Sequence, residues 1–311
     1  MVSGACCTRV HKQAQALRER GWRVESLSWD PPAIPAAFDR HSVTDRACMV
    51  AHILASHAEL IHVHNGPDEL MLHAARGARG RPVVYDCHDL FYHRTGRVSR
   101  HEAFAFRRAD GIVNVSPEYR DVAFGLHPWT CPEAVVMSCP PRAWAPAPAG
   151  ARSGAVYEGG LVRPGHRMDW RDLSPVTRAF ERAGVPLDLY VKPRMARWYP
   201  RVQGRLPYLE LLRRLARYEY GWIGTDRPCE KGEAAVPNKL WDYAAAGVVP
   251  VICNCPAAAA AFGEGAIVAS SAADALEQMA AADPAALRAA GRPRYMDDEV
   301  AGLLELYGAL L

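Results

Sequence analysis

Short apolar runs alternate along this chain with stretches whose apolar residues recur every three or four positions. That alternation predicts βα units on parallel sheets. In residues 8–20 (TRVHKQAQALRER), Val10, Ala14 and Leu17 share a helical stripe, and Gly21 stops the helix before an extended run, WRVESLSW. ELIHVHN (59–65) reads as a buried strand with a polar end, followed by the helix DELMLHAARGA. RPVVYDCHD (81–89) repeats the scheme, the helix HEAFAFRRA leads into the strand DGIVNVS, and AVVMSCPP runs into a turn. Residues 140–154 (PPRAWAPAPAGARSG) lose all periodicity in a mixture of Pro, Ala and Gly, the composition of a linker. The pattern then restarts: strand AVYEGGL, helix DWRDLSPVTRAFERAG, strand PLDLYVK, helix PYLELLRRLARY, strands YGWIG and VVPVIC, and a final amphipathic helix, MDDEVAGLLELYGALL. The expected organisation is an α/β half at 1–140, a linker at 141–153, a second α/β half at 154–291 and a terminal helix at 292–311.

The amino end departs from the pattern. Only Met1 and Val2 precede a Ser-Gly loop where a full apolar strand belongs. One reading is a short edge strand; the better fit is an internal start whose strand continues upstream.

Composition narrows the function. Half of the 311 residues are hydrophobic, enough for two cores, and a net charge of +3 without a basic stripe excludes a dedicated nucleic-acid binder. No run approaches the roughly 18 apolar residues of a membrane helix, and no leader peptide is visible. The nine cysteines have no framework spacing, with Cys6-Cys7 adjacent and Cys253/Cys255 a lone CxC, so they read as reduced thiols in a cytoplasmic protein.

Candidate chemistry falls at predicted strand ends, where α/β sheets bind ligands. His62, His64 and Asn65 close one strand; Asp86, His88 and Asp89 close the next. Singly, each histidine reads as a half-buried, hydrogen-bonded side chain. Together with the aspartates they form an acid/base or ligand cluster. HVH places two imidazoles on one strand face, so metal chelation is geometrically open, but no spacing supplies third and fourth ligands. In the second half, Gly159-Gly160 allow close backbone approach, and Arg163, Arg167 and Lys192 follow strand ends where they could face a diphosphate. VPNKLWDYAAAG (236–247) carries more information. Pro237 suits a first helical turn, Asn238 or its predecessor suits a cap, and the amino end of the helix with Lys239 suits a phosphate. Asp242, on the same face as Lys239, can accept from ribose hydroxyls, while Ala244–Gly247 keep the helix slim against its sheet. The bland alternative is an ordinary Lys/Asp pair on a solvated helix.

At these residues the chain resembles GT-B glycosyltransferases, specifically the retaining, nucleotide-sugar-dependent type of bacterial polysaccharide and glycolipid synthesis (group 1, or family 4-like). TRVHKQAQALRERGWRV, ELIHVHN, RPVVYDCHDL, RADGIVNVSPEY, VYEGGL, PNKLWDYAAAGVVPVICN and MDDEVAGLLELYGALL carry the resemblance over nearly the whole chain, the PNK stretch most specifically. It implies two Rossmann-like domains facing across a cleft, with the C-terminal helix crossing back to the first. It also implies transfer of a sugar from a nucleotide-diphosphate sugar, without cofactor or bound metal and with retention of configuration. His88 would lie near the donor sugar, Gly4 in the loop after the first strand, Asp242 on the ribose, and Arg167 with Lys192 on the diphosphate, Arg163 competing. His64, Asn65, Gly160, Asn238 and Lys239 complete the expected substrate-binding set.

The family spacing of Glu, seven residues, Glu is not met: eight positions before Asp242 stands Ala234, with Glu233 one residue off. Glu233 would serve as a second catalytic carboxylate only through a shifted loop. The implied partners are the nucleotide-sugar donor and a glycan, lipid-linked or small-molecule acceptor, with no nucleic acid. HEAFAFRRA (with Phe104, Phe106, Arg107 and Arg108) is read either as a core helix or as a weak peripheral membrane contact at the inner face. The other functions weighed are a degenerate nucleotide-binding subunit, a sugar-nucleotide epimerase and, remotely, a metal-dependent hydrolase.

Overall fold

The computed structural model describes residues 1–3, 8–28, 40–42, 46–148, 150–166, 171–228 and 236–311. It divides into two compact units, Met1–Pro141 with Met296–Leu311, and Arg142–Tyr295.

Unit 1 runs β1 (Val2–Ser3), α1 (Thr8–Glu19), β2 (Ser26–Ser28), β3 (Arg40–Ser42), α2 (Arg46–Ala55), β4 (Ile61–His64), α3 (Leu70–Gly77), β5 (Val83–Cys87), α4 (Phe91–Thr95), α5 (Arg100–Arg108), β6 (Gly111–Asn114), α6 (Pro117–Leu126) and β7 (Glu133–Val135). Its seven strands are parallel, in the order β3-β2-β1-β4-β5-β6-β7. The winding therefore reverses between β1 and β4, the place where doubly wound sheets bind ligands. β4, β5 and β6 are buried at every position, as strands covered on both faces must be, which is why their sequences read as near-continuous apolar runs. β1 is short but central, paired with β2 and β4, so the edge-strand reading is wrong.

Unit 2 runs β8 (Ala155–Glu158), α7 (Ser174–Arg182), β9 (Leu187–Tyr190), α8 (Tyr208–Leu215), β10 (Tyr220–Gly224), α9 (Asn238–Ala245), β11 (Val249–Cys253), α10 (Pro256–Phe262), β12 (Ile267–Ala269), α11 (Ala272–Ala281) and α12 (Pro284–Ala290). Its parallel order is β12-β11-β10-β8-β9, reversing between β8 and β10. Of the helix expected over DWRDLSPVTRAFERAG, Asp169 and Trp170 lie outside the described residues, and among those described α7 starts at Ser174, with Pro175 in its first turn. The predicted linker is partly structured. Arg142–Trp144 form a 3-10 turn, and Arg152 donates from Nη1 to the carbonyls of Tyr218 and Ala246, at 3.4 and 3.0 Å.

The last helix, α13 (Met296–Leu310), belongs to unit 1, as the crossing-back expectation requires. Met296, Val300, Leu303, Leu306 and Tyr307 form its buried stripe, in a cluster with Ala16 and Leu17 of α1 and with Val113 and Val136. Glycine at 111 admits it: a Cβ there would lie 2.9 Å from Leu310 Cδ1. Glu299 accepts from the Met137 amide at 3.0 Å. HEAFAFRRA is a core helix, with Glu102, Ala105 and Phe106 buried and Arg107 and Arg108 exposed. Among the described residues no helix is long and apolar enough to cross a membrane.

Candidate functional site

In unit 1 the alternation of a strand assembles the site. His62 and His64 stand two apart on β4 and share one face, and parallel register sets His64 beside Asp86 of β5. The two imidazoles stack, centroids 4.5 Å apart and 5° from parallel. Asp86 is the hub. His62 Nε2 and His64 Nδ1 lie 3.4 and 3.6 Å from its Oδ2, and His88 Nδ1 lies 3.5 Å from its Oδ1. From α1, Arg9 Nε donates to both carboxylate oxygens at 2.9 Å, and Gln13, four residues on and so on the same helical face, donates to Oδ2 at 2.9 Å. Tyr307 of α13 reaches the same cluster, its hydroxyl 2.5 Å from His62 Nδ1.

Burial shapes the charges here. It opposes ionisation of Asp86 and is the largest single influence, but the Arg9 guanidinium together with His64, His62 and His88 outweighs it and holds the carboxyl well below its usual range. Burial pushes His64 well below 6.5 despite Asp86, and lowers His62 as well, against its bond to Asp86. The cluster thus contains one ion pair, with the buried imidazoles of His62 and His64 neutral. His88 is the member with open surface, 20% of its side chain, against 0–2% for Arg9, His62, His64 and Asp86.

The expected residues of this half are sorted by these facts. His88 stands at the surface of the network. His64 lies wholly beneath it, its ring 6.1 Å from that of His88. Asn65 spends its amide on the strand-end turn: Nδ2 donates to the Asp89 carbonyl at 2.9 Å, and Oδ1 accepts from the His88 N–H at 3.2 Å. It therefore shapes the loop that carries His88. Gly4 lies outside the described residues.

In unit 2, α9 meets the turn that follows β8. Gly159 has φ +132°, a conformation other residues rarely adopt, and a Cβ there would come within 3.2 Å of Lys239 Nζ. That ammonium sits 3.6 Å over the Tyr157 ring, and the Tyr157 hydroxyl donates to the Gly160 carbonyl at 3.0 Å. On the other side, a Cβ on Gly160 would lie 3.2 Å from Arg171 Nη1. Two cations thus flank a bare glycine turn. Pro237, the residue before Asn238 and one of the two expected at the cap, is the N-cap of α9, and it makes no side-chain hydrogen bond to the helix. Asn238 is exposed beside Lys239.

Tyr243, one turn past Lys239, aligns the two pieces. Its hydroxyl accepts from the Glu158 N–H at 3.1 Å, and its ring lies so close to β10 that a Cβ on Gly221 would be 2.4 Å from Cδ2. The close approach of helix to sheet is therefore set by Gly221 on the strand, more than by the alanines the sequence pointed to. Burial pushes the Tyr243 hydroxyl well above its ordinary range, so it stays neutral. Asp242 is buried, and its Oδ1 accepts from the Tyr208 hydroxyl at 2.5 Å. Arg163 and Lys192 are exposed, Lys192 preceding the 3-10 turn Pro193–Arg197. Arg167 and Glu233 lie outside the described residues.

Sequence reasoning missed Arg9, Gln13, Tyr307, Tyr157, Arg171, Tyr208 and Tyr243. Arg9 and Gln13 carried a signal in their i, i+4 spacing, and Tyr243 sits within the PNK stretch itself. Tyr307 carried none, since 245 residues separate it from His62.

No family model matches the chain, and neither does any curated protein sequence. Solved structures do. Alr3699/HepE of Anabaena in complex with UDP and glucose superposes with a TM-score of 0.68 over 99% of both chains at 11% identity. Sucrose-phosphate synthase of Thermosynechococcus elongatus gives 0.65 over 97% of this chain and 88% of its own at 13% identity. AviGT4, a glycosyltransferase involved in avilamycin A biosynthesis, gives 0.61 over the same shares at 14% identity. The chain has the fold of the GT-B glycosyltransferases, two Rossmann-like α/β units with a C-terminal helix that returns to the first.

Proposed function

We propose that the chain is a glycosyltransferase that moves a sugar from a nucleoside-diphosphate sugar to an acceptor. The observation that carries this reading is the seat at α9: a helix amino end whose N-cap, Pro237, offers no side-chain hydrogen bond, Lys239 held against Tyr157, and a glycine turn that leaves the backbone bare beside them. The helix amino end and its dipole favour an anion, and Lys239 and Arg171 add positive charge on two sides. Stabilising the leaving diphosphate in this way lowers the barrier to glycosyl departure, because the charge develops in the transition state. Asp242, oriented by Tyr208, accepts from the ribose hydroxyls. Alr3699/HepE, whose fold the chain shares, has been solved with UDP-glucose, which makes a uridine donor the first to test.

The finer reading is a retaining, metal-independent transfer, with the acceptor attacking from the face the diphosphate leaves. Lys239, Arg171 and the helix amides supply the positive charge a metal would otherwise bring. The histidines of unit 1 support that reading in their own way. Rings stacked within 5° of parallel keep their nitrogen lone pairs in separate planes, so one ion cannot lie in both, and Asp86 already accepts from Arg9 and Gln13. The group His62, His64 and Asp86 is therefore read as a polar network and not as a metal cage.

Thermal unfolding with UDP, GDP and ADP, each with and without EDTA, tests the donor seat. A ligand at 100-fold over its Kd stabilises by about 2.7 kcal/mol. UDP is expected to raise the midpoint regardless of EDTA, Lys239→Ala to remove most of the shift, and UDP-glucose to be consumed when acceptor is supplied. If no nucleoside diphosphate shifts the midpoint, the proposal fails. Binding without turnover over a broad acceptor panel would leave a nucleotide-binding subunit in its place.

A further inference from the structure

We propose that residues 191–205 of unit 2 form a binding site for a carboxylate-bearing glycan of the uronic-acid type, with Arg194 and Arg197 taking its carboxylates and the Trp198 ring taking the face of a sugar. The segment, VKPRMARWYPRVQGR, holds Lys192, Arg194, Arg197, Arg201 and Arg205 and no acid. Set those five aside from the 37 lysines and arginines of the chain, and its 34 acids outnumber the rest. The positive balance of the whole molecule therefore resides here.

The fold displays this charge instead of neutralising it. The segment leaves the carboxyl end of β9, the edge strand of its sheet, and comes back along that edge. There the Leu189 N–H donates to the Arg201 carbonyl at 3.1 Å, and the Gln203 N–H donates to the Leu189 carbonyl at 2.9 Å. Met195 and Tyr199 are buried and anchor the loop, while all five cations and Trp198 are exposed. The acids that touch it are engaged: Asp188 accepts from Arg201 and Tyr218, and Asp172 from Ser174 and Tyr199. Among the described residues, Arg201 is the one cation of the five in an ion pair. Pro193–Arg197 is a 3-10 turn, whose three-residue period brings Arg194 and Arg197 to one side, about 6 Å apart along the axis. The Arg197 guanidinium lies 5.3 Å from the centre of the Trp198 ring, and Trp198 is 42% exposed.

That juxtaposition selects the ligand. Guanidinium groups bind carboxylates through paired N–H donors. A uronic acid carries its carboxylate on a ring carbon, so a sugar lying against Trp198 holds its charge within reach of Arg197. The spacing of the two arginines suits charges repeated from one sugar unit to the next. One exposed ring is little apolar area for a bilayer contact, whose strength grows with the apolar surface buried. Single-stranded nucleic acid is held by successive aromatic platforms, and here there is one.

Isothermal titration of the full chain with oligogalacturonate, against a neutral maltodextrin of equal length, tests the site. The expected result is binding of oligogalacturonate that weakens with salt, and no comparable binding of the neutral chain. Arg194→Gln combined with Arg197→Gln is expected to weaken it about tenfold, and Trp198→Ala about threefold with the salt dependence kept. These side chains are exposed, so the unfolding midpoints of the variants are expected to stay. Equal affinity for the two glycans, or unchanged affinity in either variant, overturns the proposal. Tighter binding at equal salt of a single-stranded oligonucleotide, or of vesicles containing phosphatidylglycerol, overturns it too. So does displacement of oligogalacturonate by UDP, which would give the arginines to the donor. Binding that persists in saturating UDP, or in a chain that no nucleoside diphosphate stabilises, leaves this inference standing whichever way the donor reading falls.

Discussion

The two units share a doubly wound parallel architecture and fill it with different chemistry. Among the described residues, unit 1 buries the acids Asp68, Asp86 and Glu102, the cations Arg9 and Lys12, and the histidines His11, His62, His64, His73 and His127. Its carboxylates act as anchors: Asp68 takes the Tyr85 hydroxyl at 2.7 Å, and Glu102 takes the Phe91 N–H at 2.6 Å and faces His127 Nε2 at 3.1 Å. Among the described residues, unit 2 buries Asp242 with Ser174, Thr177 and Thr225, and its buried tyrosines Tyr157, Tyr199, Tyr208 and Tyr243 each make a hydrogen bond through the hydroxyl. A buried tyrosine brings apolar area and a single hydroxyl that one partner satisfies. A buried ion brings a desolvation cost that only a complete set of partners offsets. Unit 1 is therefore vulnerable through charge and unit 2 through shape.

Asp86→Ala attacks unit 1 where it is most exposed to that argument. It strands the buried Arg9 guanidinium, and breaking a buried pair costs about 3–5 kcal/mol. Denaturant unfolding followed by hydrogen exchange is expected to show the loss in unit 1 peptides; equal loss of protection across unit 2 would break the comparison. Gly221→Ala attacks unit 2 by volume alone, since the new methyl meets the Tyr243 ring at 2.4 Å. Overpacking of this kind costs about 1–3 kcal/mol, and the same measurement should place it in unit 2.

Acid sharpens the contrast without any mutation. The folded-state pKa values of His62 and His64 are depressed from 6.5, so below that value the unfolded chain takes up protons that the native network refuses. Their contribution is present above about 6.5 and is lost as pH falls. Asp86, also depressed, adds its own loss only below its ordinary 3.8. Exchange protection in residues 61–64 and 83–87 should therefore weaken with acidification before that in 155–158 and 220–224. Tyr307→Phe gives the smallest effect, loss of one hydrogen bond to His62, about 0.5–1.5 kcal/mol. It is read as a small drop in unfolding midpoint confined to unit 1.

The sheets were legible because their strands are covered on both faces, so VVYDC, YGWIG and VVPVIC read as apolar runs whatever lies around them. β1 was not, because two residues cannot display a period and only their partners show that they are central. α1 misled for a different reason. Val10, Ala14 and Leu17 gave an amphipathic stripe, yet Arg9, His11, Lys12 and Gln13 are buried too, since the far side of the helix faces polar strand ends instead of water. Of the candidate sites, the histidine and aspartate cluster was visible because it lies on adjacent strands at matching positions. The PNK stretch was visible because one helix turn carries it. Arg171 and Tyr208 reach their places through tertiary packing that no local pattern encodes, while Arg163 and Lys192, which local position did suggest, lie exposed on loops.

The return of α13 to unit 1 has a consequence for synthesis. Residues 142–295 of unit 2 are contiguous, so all of that unit has been made before the first residue of α13 exists. Unit 1, begun first, cannot cover Val84, Val113 and Val136 with Val300, Leu303 and Leu306, or bring Tyr307 to His62, until the last turns emerge. On the ribosome the order of completion is thus the reverse of the order of translation. The first half of the chain waits, with part of its core open, for its final sixteen residues.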